Sequence, residues 1–230
     1  MKTIGLLGGM SWESTALYYR LINEETKRRL GGLHSARIVL ESLDFQDVET
    51  LQDRGDWAGA AELLAKAARR IEAAGADFLL ICTNTMHKVA DEVAAVINIP
   101  LLHIADATAA QIKDAGIDTV GLLGTRFTME QEFYKGRLNE KGITVLTPPE
   151  SGRGLVHTVI YDELCRGVVK DESRQAFLAI IDDLVEHGAQ GVIEGCTEIG
   201  MLVKEDHTDV KLFDTARIHA AAAVAAPLVN

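Results

Sequence analysis

The sequence predicts an α/β protein of two similar lobes, each a parallel sheet flanked by helices. The segment Gly75–Thr85 recurs as Gly188–Glu198, 113 positions later, and Thr3–Gly8 recurs as Thr119–Gly124, 116 positions later. Two echoes at nearly equal offsets indicate an internal duplication. Between and around them, short apolar runs alternate with helical patterns and no hairpin signal intervenes. This alternation is typical of parallel sheets covered by helices on both faces.

Each predicted strand is a short apolar run that stops at Gly or at a small polar residue. These runs are Thr3–Leu7, Arg37–Leu40, Phe78–Ile81, Leu101–Ile104, Thr119–Leu123, Thr144–Leu146, Gly191–Ile193 and Lys211–Phe213. The predicted helices have apolar residues mostly at three- and four-residue spacing. They include Ser11–Arg29, Asp56–Ala74, Lys88–Ile97, Ala105–Ala115, Met129–Lys141, Glu172–His187 and Thr215–Val229.

The lobe boundary is predicted near Asn98-Ile99-Pro100, and the last strand and helix are expected to return to the first lobe. The first lobe then comprises residues 1–98 plus 210–230, and the second comprises residues 99–209. The duplication predicts that the lobes are related by pseudo-twofold symmetry. Ligands of open α/β sheets bind beyond the carboxyl ends of the strands, so we expect the site between the lobes.

Composition excludes several classes of function. A net charge of −11 over 230 residues lacks the basic footprint that nucleic-acid binding requires. No apolar stretch approaches the ~20 residues that span a bilayer, and the N-terminal apolar run is too short for a signal peptide. Three cysteines without CxxC spacing make neither a disulfide framework nor a zinc site, and no metal is expected. A cytoplasmic protein is the expectation.

The duplication singles out one cysteine. The offset of 113 pairs Cys196 with Thr83, not with Cys82. Cys196 follows a predicted strand, and a helix beginning at Thr197-Glu198 would lower the pKa of its thiol. Cys196 is therefore predicted to be an acid/base or nucleophile, although free cysteines are often merely buried.

The first half offers a hydroxyl at the matching position. Thr83 could hydrogen-bond a carboxylate or help to relay a proton, or it could cap a helix, as could Asn84 and Thr85. Cys82 is one residue out of register and is predicted to be buried packing, because adjacent strand residues face opposite sides.

Other residues near the strand ends could have a structural role or could contact a ligand. Gly8-Gly9 lacks GxGxxG spacing, so it predicts close backbone approach to a small ligand rather than a dinucleotide site, and Gly124-Thr125 is expected to act alike. His87 could support the site from behind. Asp106 and Glu198 are read as caps or orienting groups.

The motifs Thr83-Asn84-Thr85-Met86-His87 and Gly195-Cys196-Thr197-Glu198-Ile199-Gly200, with Gly8-Gly9-Met10, resemble those of the aspartate/glutamate racemase superfamily. The chain is most similar in appearance to enterobacterial aspartate/glutamate-type amino-acid racemases. The resemblance covers essentially the whole chain. It implies a two-lobed isomerase without a cofactor, usually a homodimer, with an amino acid as its small-molecule partner.

The resemblance also implies roles for residues. Two family cysteines flank the substrate α-carbon, and Cys196 matches the second while Thr83 stands at the first. Asn84, Thr85 and Thr197 match residues that hold the substrate α-carboxylate or amine. The predicted substrate-binding residues are Met10, Gln52, Asn84, Thr85, Thr125, Thr197 and Glu198.

Two departures leave the substrate open. Aspartate racemases of the family tend to carry an Arg in the loop after the second strand, where this chain reads Asp44–Glu49, and a Lys where it has Cys165 in the predicted helix Tyr161–Arg166. The resemblance thus implies a racemase for aspartate, glutamate or a broader range of polar amino acids. Alternatives are a single-thiol decarboxylase or cis-trans isomerase of the same superfamily, and a non-catalytic two-lobed amino-acid-binding protein.

Overall fold

A computed structural model describes residues 1–226 of the chain. The C-terminal ends of the predicted helix Thr215–Val229 and of the predicted first lobe lie outside the described residues. The strands are β1 (Ile4–Gly8), β2 (Ile38–Ser42), β3 (Phe78–Ile81), β4 (Thr119–Gly124), β5 (Thr144–Leu146), β6 (Gly191–Gly195) and β7 (Lys211–Asp214).

The α-helices lie between the strands, as predicted for an α/β protein. They are α1 (Trp12–Leu30), α2 (Phe45–Asp53), α3 (Trp57–Ala73), α4 (Ala90–Ala94), α5 (Ile104–Asp114), α6 (Arg126–Glu130), α7 (Glu132–Glu140), α8 (Glu150–Asp162), α9 (Asp171–Glu186), α10 (Ile199–Leu202) and α11 (Thr215–Ala225). Short 3-10 turns cover Thr85–Val89 and Leu164–Arg166.

The strands form two parallel sheets. The first has the order β2-β1-β3 and the second the order β5-β4-β6-β7. Each sheet is flanked by helices, which confirms the predicted fold class. The described part of the chain divides into two compact units, residues 1–104 with 216–226 and residues 105–215.

The two sheets repeat not only their strand order but also their register. In the first sheet Gly5 pairs with Leu79, and in the second Gly121 pairs with Val192. Gly5 and Gly121 are 116 positions apart, and Leu79 and Val192 are 113 positions apart, which are the two offsets of the sequence repeats. The duplicated segments therefore occupy equivalent places in their own sheets.

The first sheet is covered on both faces by apolar side chains. Alternate strand residues point to opposite faces. Leu79 and Ile81 pack in one cluster with residues of α3, whereas Leu80 and Cys82 pack in the other with Tyr18 and with residues of α11. Ser14 Oγ also donates to the carbonyl of Cys82 at 2.8 Å, which ties α1 to the end of β3.

In each unit a buried tyrosine on one helix bonds to a side chain on another helix. Tyr18 Oη lies 2.9 Å from His219 Nδ1, and Tyr134 Oη donates to Thr108 Oγ1 at 3.4 Å. Tyr18 and Tyr134 are 116 positions apart. Both rings are fully buried, so these polar tips need the partners that the helices supply.

The predicted return of the last strand to the first lobe is wrong. β7 instead pairs with β6 as the edge of the second sheet. Helix α11 does pack in the first unit, through Ala216 and Ala220. A strand must hydrogen-bond to a neighbour, whereas a helix needs only an apolar face to cover, and the sequence pattern does not show which partner each finds.

The predicted strand Leu101–Ile104 is also wrong. Only Leu101 pairs with β3, through a single bridge to Leu79, and α5 begins at Ile104. The three-residue run between Pro100 and this helix forms this one bridge. It stands where β7 stands in the second sheet, since Leu212 pairs with Val192 as Leu101 does with Leu79.

Four helical boundaries differ from the predictions. The predicted loop Asp44–Glu49 forms the start of α2, and Asp44 Oδ1 caps it by accepting from the Gln46 N–H at 3.0 Å. The predicted helix Tyr161–Arg166 breaks after Asp162, and Met129–Lys141 breaks at Gln131. Lys88–Ile97 begins as a 3-10 turn. These breaks occur inside patterns whose apolar spacing continues.

We expect His219 to make stability fall as pH falls. Burial lowers the pKa of this imidazole to about 4 from its ordinary 6.5. Between these values the unfolded chain binds more protons than the folded chain, so acidification favours unfolding. The group should remove about 2 kcal/mol of unfolding free energy between about pH 7.5 and about pH 5.

Denaturant unfolding at the two pH values measures this effect. His219→Gln cannot titrate, so its free energy of unfolding should depend less on pH than that of the wild type. The exposed His34, changed to Gln, provides a matched control that should retain the wild-type pH dependence. Equal pH dependence in His219→Gln and the wild type would contradict the expectation.

Candidate functional site

Contacts within the chain require glycine at Gly8, the last residue of β1, and at Gly9, the residue after it. A Cβ on Gly8 would lie 2.4 Å from Thr15 Cγ2, and Gly9 has a positive φ of 87° with Leu43 O only 2.1 Å from the place of its Cβ. The Gly9 N–H donates to Thr15 Oγ1 at 2.8 Å, which holds the turn against α1. These glycines permit close approach of the chain to itself, and approach to a ligand stays a prediction.

The segment after β3 carries three of the predicted site residues. Thr83 is half-buried, while Asn84 and Thr85 are buried where the 3-10 turn begins. Asn84 occupies the N-cap position, but its side chain makes no capping bond there. Asn84 therefore has the position that the helix-cap alternative predicted, but not the hydrogen bond of a cap.

His87 fixes the main chain of this segment. Its Nδ1 lies 2.7 Å from the carbonyl oxygen of Thr83, and its Nε2 accepts from the N–H of Ile104 at 3.2 Å. The ring is buried. His87 therefore joins Thr83, two residues beyond the end of β3, to the start of α5.

Met10 and Gln52 are brought to the same end of the first sheet. Met10 is buried in one apolar cluster with Met86, and Gln52 Nε2 lies 2.9 Å from Met86 Sδ. Gln52 comes from α2, which follows β2. The carboxyl ends of the three strands of this sheet thus collect Met10, Gln52 and Thr83 with its two neighbours.

Cys82 is a packing residue, as predicted. It has no exposed surface and lies among Tyr18, Leu80 and Ala216. Burial raises the pKa of its thiol far above the ordinary value. A thiol held neutral inside an apolar cluster is inert as a base.

Cys196 follows β6 and is held by a carboxylate. Its Sγ donates to Glu198 Oε2 at 2.9 Å, and Thr197 Oγ1 donates to the same oxygen at 2.7 Å. Cys196 and Thr197 are half-buried, and Glu198 is buried. One acceptor oxygen therefore orients the thiol and the neighbouring hydroxyl together.

The expected lowering of the Cys196 pKa is wrong. The structure raises the pKa of this thiol well above its ordinary value, chiefly by burial and then by the negative charge of Glu198. The helix that follows, α10, has only four residues and begins at Ile199. Its N-terminal field cannot outweigh burial and an adjacent carboxylate, so Cys196 rests as a thiol.

Thr125 lies at the end of β4 and caps α6. Its Oγ1 accepts from the Thr128 N–H at 3.4 Å, and the side chain is buried. A Cβ on Gly124 would lie 3.0 Å from Gly195 O, so this glycine also accommodates the neighbouring strand. The structure shows Thr125 as a helix cap, and its contact with substrate stays a prediction.

The structure also shows the surroundings of Asp106 and Cys165. Asp106 binds Arg137 and Lys141 at 2.8 and 3.0 Å, which is a structural ion pair within the second unit. Cys165 lies close enough to Cys196 to contribute to the rise in its pKa.

The structure collects the predicted residues into two sets, one at the carboxyl end of each sheet. Met10, Gln52, Thr83, Asn84 and Thr85 form the first set, and Thr125, Cys196, Thr197 and Glu198 form the second. The ladders extend the equivalence, because Leu7 pairs with Ile81 and Leu123 with Glu194. Thr83 and Cys196 each lie two residues beyond these equivalent pairs, and the offset between them is 113.

Sequence reasoning missed the surroundings of His87. The rings of His103 and His219 lie 4.5 and 5.8 Å from its centroid. These histidines come from separate segments, and no spacing rule joins them. Among residues 1–226 no group of three or more His, Cys, Asp or Glu side chains is arranged to hold a metal ion, and no helix is long and apolar enough to cross a bilayer.

Comparisons with known proteins identify the family of the chain. The chain is similar to a candidate Asp/Glu racemase from Yersinia pestis, at 56% identity and a TM-score of 0.94 over 99% of this chain and 100% of that one. It is also similar to an aspartate racemase homologue from Pyrococcus horikoshii OT3, at 34% identity and a TM-score of 0.85 over 98% and 99% of the two chains.

A third relative differs more in sequence. It is the broad specificity amino-acid racemase RacX of Bacillus subtilis, 21% identical over 93% of this chain and 92% of its own length. The family profile described as Asp/Glu/Hydantoin racemase matches residues 7–223. The chain, with its two equivalent strand ends occupied by Thr83 and Cys196, belongs to the Asp/Glu/hydantoin racemase family.

Proposed function

We propose that this protein is an amino-acid racemase that works without a cofactor, by removal and return of the substrate α-proton. The carrying observation is the common register that makes Thr83 and Cys196 equivalent in their sheets. We infer that the two strand ends face one substrate, with Cys196 on one face of the α-carbon and Thr83 on the other. The membership of a racemase family supports this reading.

The resting thiol needs a base before it can remove a proton. Glu198 already accepts the Cys196 Sγ–H, so transfer of that proton to Oε2 leaves a thiolate and a neutral carboxyl group. The thiolate then takes the α-hydrogen: the C–H bond breaks, an S–H bond forms and the electron pair stays on carbon. A proton delivered from the opposite face completes inversion.

The two faces are chemically unequal. A thiol can serve as acid and, once ionised, as base, whereas a threonine hydroxyl is a much weaker acid and needs a relay through water or a neighbour. The equilibrium between enantiomers remains 1:1 because a catalyst cannot change it. The asymmetry is therefore confined to rates and affinities.

The remaining residues of the two sets are proposed to bind substrate. Asn84, Thr85, Thr125 and Thr197 offer neutral donors and acceptors for the α-carboxylate and amine. Met10 and Gln52 line the side-chain end, where Gln52 provides an amide in place of a cation. A homodimer, a cytoplasmic location and a lobe boundary near Asn98-Ile99-Pro100 stay predictions.

The single thiol also favours a second candidate, a decarboxylase of the same fold family. Decarboxylation needs a proton on one face only, and the equivalent position in the other half is Thr83. Incubation with amino acids and, separately, with a malonate-type substrate in deuterated water distinguishes the two activities. Inversion with uptake of deuterium supports the racemase, and loss of a carboxyl group from a malonate-type substrate supports the decarboxylase.

We predict that Cys196 is indispensable. Because general acid–base catalysis contributes about 10²–10⁴-fold, Cys196→Ala should lose at least about 100-fold in α-proton exchange while still binding the amino acid. The matched control is Cys82→Ala, which removes a thiol of the packing core. A Cys82→Ala loss as severe as that of Cys196→Ala, with the fold intact, would move the catalytic thiol to Cys82.

We predict that Glu198→Gln lowers the pKa of the Cys196 thiol. The substitution removes the negative charge and the acceptor that raise this pKa, so the thiolate should form at lower pH. The pH dependence of alkylation by iodoacetamide, measured with Cys165 changed to Ala, reports this directly. Glu205→Gln removes an exposed carboxylate as the control. An unchanged or higher midpoint in Glu198→Gln would refute the assignment.

We predict that the site accepts more than one amino acid. The segment Asp44–Glu49 and Cys165 provide no cation where aspartate racemases tend to carry Arg and Lys, and neutral donors discriminate less sharply than charge-assisted pairs. Broad specificity is also the description of the relative from Bacillus subtilis. Exchange rates for aspartate, glutamate, asparagine and glutamine should differ modestly, and strict use of aspartate alone would overturn this expectation.

A further inference from the structure

The two equivalent strand ends are held in different ways. Cys196 is held through its side chain, by Glu198 Oε2. Thr83 is held through its main chain, by the imidazole of His87 at 2.7 Å from the carbonyl oxygen. By the same offset of 113, the counterpart of His87 is Gly200, which has no side chain. This support of the main chain thus exists in one half of the duplication.

The contacts of His87 define its protonation. A carbonyl oxygen can only accept, so Nδ1 carries the hydrogen toward Thr83. A backbone N–H can only donate, so Nε2 toward Ile104 is unprotonated. The ring is therefore a neutral imidazole of one tautomer, with both nitrogens bound to main chain.

Neighbouring side chains restrict the ring further. His103 packs edge-on at 4.5 Å between centroids and His219 at 5.8 Å. His219 is itself fixed, with Nε2 at 2.8 Å from the Leu102 carbonyl and Nδ1 at 2.9 Å from Tyr18 Oη. The imidazole that holds Thr83 thus rests on α1, on α11 and on the segment before α5.

We propose that His87 is a positioning residue for the Thr83 face of the site, with no contact to substrate required. The inference rests on the proposed racemase function. Proton transfer is sensitive to displacements of about 1 Å, which can cost about 100-fold in rate. Loss of the bond from His87 allows the Thr83 peptide to turn and its hydroxyl to leave the substrate, while Cys196 keeps its own support from Glu198.

The test uses two variants that each keep half of the contacts of His87. The amide N–H of Asn reaches about as far as Nδ1, so His87→Asn retains a donor to Thr83. The longer amide of Gln reaches toward Ile104, so His87→Gln retains the other contact. A residue needed only for folding would respond alike to both.

Exchange of the α-hydrogen with solvent deuterium is measured for each enantiomer, together with inversion. Thr83→Ala first identifies the transfers that depend on the Thr83 face. In His87→Gln these same transfers should fall about 10-fold to 100-fold in kcat, while exchange on the Cys196 face stays within about 2-fold of the wild type. His87→Asn should be closer to the wild type.

A double variant gives the decisive comparison. Because His87 acts through Thr83, adding His87→Gln to Thr83→Ala should cause no further loss on the Thr83 face. Additive losses, or equal losses on both faces, would overturn the proposal. If His87→Gln does not fold, His87→Ser provides the same comparison with a smaller side chain, and the same face-selective loss is expected.

The outcome also separates this inference from the function on which it rests. If the wild type exchanges neither enantiomer, the racemase proposal and this inference both fail. If the wild type exchanges and Cys196→Ala does not, but the His87 variants show no selectivity for one face, only the role of His87 is refuted.

Discussion

The site depends on one constraint, the parallel pairing of β1 with β3 in the first sheet and of β4 with β6 in the second. Hydrogen bonds of a parallel pair fix which residues lie side by side, and a slip of one residue would turn every side chain to the other face. Because Gly5 pairs with Leu79 and Gly121 with Val192, the strands end at equivalent points. This shared register selects Thr83 and Cys196 and assigns Cys82 to the core.

The same constraint explains why two free thiols of one protein differ so much in their chemistry. Cys82 packs among apolar side chains on the face of the sheet that α1 and α11 cover. The counterpart of Cys82 in the second sheet is Gly195, and Cys196, the next residue, donates to the carboxylate of Glu198. Both pKa values are raised by burial, but only Cys196 has a neighbouring base able to accept its proton.

The two halves of the duplication share the register of their sheets but differ in the side chains that hold Thr83 and Cys196. After β3, the imidazole of His87 holds Thr83 by its main chain, and after β6, the carboxylate of Glu198 holds Cys196 by its thiol. The tyrosines of the two units show a similar divergence, because Tyr18 binds a histidine and Tyr134 a threonine. Equivalent positions in the two sheets thus carry different chemistry on one backbone plan.

The sequence by itself determined the fold class, the duplication and the equivalence of Thr83 with Cys196, because these depend on local periodicity and on repeats along the chain. It did not determine that β7 joins the second sheet while α11 packs in the first unit, since an apolar run does not specify its neighbour. It also misjudged the thiol of Cys196. The local pattern showed a helix after the cysteine, whereas burial and the position of Glu198, which only tertiary structure decides, raise the pKa. The ring contacts of His87 with His103 and His219 likewise join distant segments, and no local pattern could predict them.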